Sequence, residues 1–100
     1  MNNPISSDLQ IQSIRETIDT IDSQLIALLL DRFNQSKNIA MVKEKLQMQT
    51  LDSNRENEIR KQWIQQSSEE IDLIPILDSI LSVSKSIQRK LRSSQVREEI

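Results

Sequence analysis

From Ile11 the apolar positions step by three, four, three, four: Ile11, Ile14, Ile18, Ile21, Leu25 and Leu28. That is the spacing of one face of an α-helix. The next position in the series is Arg32, where a leucine belongs. The stripe resumes at Ile39, Val42 and Leu46, with Lys43 beside it. No Gly or Pro interrupts residues 8–46, so the pattern predicts one helix of nearly forty residues, with Ser7 or Asp8 as its cap. At ~1.5 Å per residue that helix is close to ~60 Å long. A compact monomer of this size has a radius of gyration near ~13 Å. The rest of the chain is too short to cover such a helix, which therefore needs a partner, most simply a second copy. A break at residues 34–38, where helix propensity is poorest, is the alternative.

Two shorter helices follow. Ser53-Asn54-Arg55-Glu56 fits a capping box and predicts a second helix over 54–66, with Ile59 and Trp63 facing inward. A polar connection, Ser67 to Glu70, leads to Asp72 as a cap and Pro75 in the first turn of a third helix over 73–93. Its apolar stripe is Leu73, Ile76, Leu77, Ile80 and Leu81, then Ile87 and Leu91, interrupted by Ser84 and Gln88. The end, RSSQVREEI, reads as a fraying tail, as do residues 1–7. The fold class is all-α, with three helices over about 8–46, 54–66 and 73–93 in a single domain.

Composition narrows the chemistry. The 100 residues allow one domain at most, and the absence of Gly implies few turns of positive φ. A net charge of −2 argues against a general nucleic-acid binder, so any anion site is a local cluster of cations. With no Cys and no His, thiolate chemistry is excluded, and metal ligation and imidazole acid–base catalysis are disfavoured. The opening MNNPISSDLQ lacks the basic region and apolar run of a signal peptide. No segment approaches the ~20 apolar residues of a membrane span. A cytoplasmic address, no membrane partner and no cofactor are expected.

Four polar residues then stand out because they occupy apolar stripes: Arg32, Lys43, Ser84 and Gln88. Arg32 and Lys43 are eleven residues apart, about three helical turns, so they share a face. Ser84 and Gln88 share a face at i and i+4. If the third helix packs on the first, these four line one pocket able to grip a small anion. The bland alternative stays open: a cation can bury its stem and send its charge to water, and an interior Ser or Gln can set register. Arg15 lies seventeen residues before Arg32, roughly ~25 Å along the same helix, too far for one small ligand within one chain. In an antiparallel pair of long helices, Arg15 of one copy can approach Arg32 of the other; a solvated surface charge is the alternative.

Taken in order, these residues give the chain a family likeness. IRETIDTIDSQLIALLLDR, the Arg32-x₁₀-Lys43 spacing, Asp52-x-x-Arg55-Glu56 and Ser84-x-x-x-Gln88 together resemble the all-helical class of chorismate mutase, over about residues 8–92. The resemblance implies an intertwined homodimer whose long first helices pair and whose sites draw on both chains. It implies the Claisen rearrangement of chorismate to prephenate, on the way to Phe and Tyr, without cofactor or covalent intermediate. Carried over by position, Arg32 and the second copy's Arg15 hold the two substrate carboxylates, and Lys43 and Gln88 donate to the ether oxygen. Glu56 accepts from the ring hydroxyl, and Asp52, Arg55 and Ser84 complete the contacts. Three places depart from the family's usual pattern: the loop MQTLDSN lacks proline, the connection QQSSEE lacks Gly, and Lys85 stands beside Ser84 where some members place an apolar residue.

The residue types suit that chemistry. A pericyclic reaction needs no proton transfer, so the lack of His and Cys is no obstacle. Arginine forks suit carboxylates, and fixed donors aimed at the ether oxygen stabilise the charge that grows there. Two alternatives are an isochorismate-pyruvate lyase, which shares the Arg and Lys positions, and a non-catalytic helical dimer that binds a pathway metabolite or partner enzyme. Salicylate and pyruvate released from isochorismate would single out the first, and binding without turnover the second.

Overall fold

The computed structural model describes residues 4–99, with side chains over 7–94. It is all-helical: α1 spans Pro4–Lys45, α2 spans Ser53–Gln66 and α3 spans Ile74–Glu99. The expected element order and types are all present. α1 is unbroken through 34–38, and both outer helices run past their expected ends, at 4–7 and 94–99. Fraying of residues 1–3 and 100 lies outside the described residues.

The chain divides into two compact units, Met1–Arg32 and Phe33–Ile100, with the boundary inside α1. In the first unit the described residues are a stretch of α1 alone. Its apolar seam faces solvent: Ile11, Ile14, Ile18, Ile21, Leu25 and Leu28 are all exposed, Leu28 by 66%.

The second unit has a core. Ile59 from α2 and Leu77 and Leu81 from α3 are buried together, with Trp63 and Ile74 packed against them. Ile59 and Trp63 are i, i+4 neighbours, as are Leu77 and Leu81, so each helix offers one stripe to the other. An Arg60–Asp78 ion pair of 2.9 Å ties the same two helices at the surface. The end of α1 meets α3 by a different chemistry. Ser36 bonds Ser84 and Glu44 bonds Arg92, and both pairs are separated by 48 residues. A constant offset means that the two segments run parallel and in register. Ala40, fully buried, sits a turn from both Ser36 and Glu44.

The connections manage without glycine. α1 ends with Gln47 at φ 55, the left-handed position usually given to Gly. Met48 N–H bonds the Lys43 carbonyl at 2.8 Å and Gln47 N–H bonds the Glu44 carbonyl at 3.2 Å, the paired bonds of a Schellman end. In the next connection Ser67 Oγ donates to the Trp63 carbonyl at 2.9 Å and accepts from Leu73 N–H at 3.1 Å. Ser68 Oγ accepts from Ile71 N–H at 3.0 Å, and Asp72 Oδ1 accepts from Ile74 N–H, as expected of a cap.

One capping expectation is corrected. Asp52, not Ser53, caps α2: its Oδ1 accepts from Arg55 N–H at 3.0 Å and its carbonyl from Glu56 N–H at 3.1 Å. An ionised carboxylate is the stronger acceptor, and its charge suits the positive end of the helix. Ser53 becomes the first helical residue, so Glu56 is not drawn back into a capping box.

Candidate functional site

The parallel contact of α1 with α3 brings Lys43 beside Gln88. Gln88 is buried and Lys43 half-buried. Lys43 Nζ donates to the main-chain oxygen of Thr50 at 2.7 Å and, more loosely, to Gln88 Oε1 at 3.5 Å. An ammonium carries three N–H groups: the Thr50 carbonyl holds one, the Gln88 oxygen lies at the edge of reach of a second, and a third is left to donate. The same contact orients Gln88: with its oxygen toward Lys43, its NH₂ stands beside that oxygen as a neutral donor. Two donors of different charge therefore stand side by side.

One turn earlier on α3, Ser84 is buried and accepts from Ser36 Oγ at 3.1 Å. Lys85 reaches α2, where its Nζ lies 2.9 Å from Glu56 Oε1. Both partners are half-buried, so the pair is screened less than a surface pair. A carboxylate has two oxygens, and Lys85 holds Oε1 of Glu56.

The other expected site residues are placed differently. Asp52 is exposed and its Oδ1 is engaged in capping α2. Arg55 is exposed and pairs with Glu58 at 3.2 Å, one turn away on the same helix. Arg15, exposed, and Arg32, half-buried, belong to the first unit. Of the eight residues, the second unit thus gathers Lys43, Gln88, Ser84 and Glu56 around the contacts of α3.

Four further residues belong to this network: Ser36, Glu44, Thr50 and Arg92. Arg92 Nε donates to Glu44 Oε2 at 2.7 Å, and its Nη1 to Thr50 Oγ1 at 2.9 Å. Arg92, within the expected third helix, is a bonded residue of α3, only 18% exposed. A signal existed for two of the four. Ser36 and Ala40 are small residues at i and i+4, the mark of close helix approach, and Arg92 extends the polar series Ser84, Gln88 by one more step of four. Nothing in the local sequence marks Thr50, because its partners come from other elements.

Among the described residues no cluster could hold a metal ion, and no helix is long and apolar enough to cross a membrane. The site is a set of fixed cationic and neutral donors with one carboxylate nearby, suited to an anionic ligand that also carries a hydroxyl. A family model described as chorismate mutase type II matches residues 14–89. No curated protein and no solved structure matches the chain.

Proposed function

Because the chain belongs to the chorismate mutase type II family, we propose that it catalyses the Claisen rearrangement of chorismate to prephenate. The observation that carries this reading is the Lys43–Gln88 contact. The third N–H of Lys43 and the NH₂ of Gln88 converge on the ether oxygen of the bound substrate. As the C–O bond breaks, negative charge grows on that oxygen, and donors fixed in advance lower the barrier more than they tighten substrate binding. Oε2 of Glu56 accepts from the ring hydroxyl, and Ser84 lies on the same side of α3. Asp52, by its second oxygen, and Arg55, by leaving Glu58, complete the substrate contacts in this reading.

The carboxylates of the substrate fall to arginine. In this reading Arg32 holds one and Arg15 from a second copy holds the other, which requires a homodimer. The exposed seam from Ile11 to Leu28 supports that assembly: burying a large aliphatic side chain contributes about 1.5–3 kcal/mol, and six lie in a row. The family match crosses the boundary between the two units, so we read the chain as one domain; a cytoplasmic address is part of the same proposal. Purified protein mixed with chorismate is expected to consume it and yield prephenate. No turnover above the uncatalysed rate would refute the assignment.

A further inference from the structure

Thr50 sits where three elements meet. Its carbonyl accepts from Lys43 on α1, and its hydroxyl accepts from Arg92 on α3. Arg92 uses a second arm of its fork on Glu44, the residue after Lys43. The Arg92–Glu44 pair is mostly covered, at 18% and 23% exposed, and both of its contacts are short. The loop between α1 and α2 is thereby held to α3 by a side chain one turn beyond Gln88. A lysine stem has four rotatable bonds and loses roughly 2 kcal/mol of rotamer freedom when fixed. The direction of the Lys43 ammonium therefore depends on where the Thr50 carbonyl stands, and Arg92 sets that.

We propose that Arg92 and Thr50 are positioning residues for Lys43: the guanidinium pins the loop through the Thr50 hydroxyl, so that the carbonyl of the same residue aims the Lys43 ammonium. Neither side chain touches substrate. The effect on rate rests on the reading of Lys43 as the ether-oxygen donor; the effect on the ammonium does not. An interaction that grows only in the transition state appears in kcat, so losing the aim lowers kcat and spares KM.

Thr50→Val removes the hydroxyl and keeps the shape; Thr50→Ser keeps the hydroxyl; Arg92→Met removes the fork and keeps the stem. Thr50→Val and Arg92→Met are expected to lower kcat about tenfold with KM within about twofold, the scale of one charge-assisted hydrogen bond. Thr50→Ser should stay close to the parent, and the double variant Thr50→Val, Arg92→Met should lose no more than Arg92→Met alone. The second readout is the Lys43 ammonium signal in ¹⁵N NMR of the ligand-free protein, assigned with Lys43→Arg. Hydrogen bonding slows its proton exchange, so the signal should appear in the parent and in Thr50→Ser and vanish in the other two. A signal that persists in Thr50→Val, or a loss confined to KM, overturns the proposal. A parent without chorismate turnover, whose ammonium signal nevertheless vanishes in Thr50→Val, overturns the proposed function and upholds the positioning. Should Arg92→Met not fold, Thr50→Val carries both readouts.

Discussion

At Gln88 the amide oxygen is turned to Lys43, and the amide nitrogen is the group left to donate. That donor is neutral at every ordinary pH. Gln88→Glu replaces it with a group that donates only when protonated. An ordinary Glu has a pKa near ~4.3, and the ammonium beside it favours the ionised form further. Activity of the variant should therefore rise as pH falls from 7 toward 4, while the parent stays nearly flat. A pH–rate profile unchanged by the substitution would count against the ether-oxygen contact. Lys85 makes a second test at the same scale. If it orients Glu56, Lys85→Met should lower kcat/KM by about three- to tenfold, and Lys85→Arg should restore most of it. Equal rates for Lys85→Met and the parent would mean that the pair is only a surface ornament of α2 and α3. The sequence marks Lys85 as a departure from its family, but its partner is 29 positions away and becomes visible only once α2 lies on α3.

Among the elements, the helices were legible because their signals are local. Periodicity of three and four, an acidic cap and a proline in the first turn all lie within a few residues of what they specify. The exact cap was less so: Asp52 and Ser53 both suit the position, and the backbone chose the stronger acceptor. The end of α1 carries a cost that the sequence hides. Gln47 adopts the left-handed conformation, which disfavours a side chain by roughly 1–2 kcal/mol. Gln47→Gly relieves that, partly offset by about 0.4–1 kcal/mol of extra freedom in the unfolded chain. The net gain should be about 0.5–1 kcal/mol, a rise in Tm of about 3–6 °C at fixed protein concentration. A thermal melt checks it; an unchanged or lower Tm would argue that Gln47 is held by contacts other than the Schellman bonds.

For the molecule as a whole, the proposed dimer rests on the exposed seam of the first unit. Arg15→Ala and Arg32→Ala should each abolish most activity alone. Refolded together, they should form mixed dimers in which one site lacks both arginines and the other is intact. Random pairing makes half the dimers mixed, so recovery should approach roughly a quarter of the parent rate. Equal inactivity of the mixture, with mixed dimers proven by sedimentation and mass, would refute the shared site.

Helix type, order and approximate bounds were set by the sequence alone, because helices are decided by neighbours three and four residues away. The long α1, its bare seam and the polar residues set into the stripes were legible for the same reason. What tertiary structure decided is which of those polar residues meet. The parallel register of α1 and α3 joins Lys43 to Gln88 and Glu44 to Arg92, and the loop between α1 and α2 brings the Thr50 carbonyl to the ammonium. Partners separated by 42 or 48 residues leave no periodic trace along the chain. Hydrogen-bond geometry in space, rather than spacing in sequence, selects them.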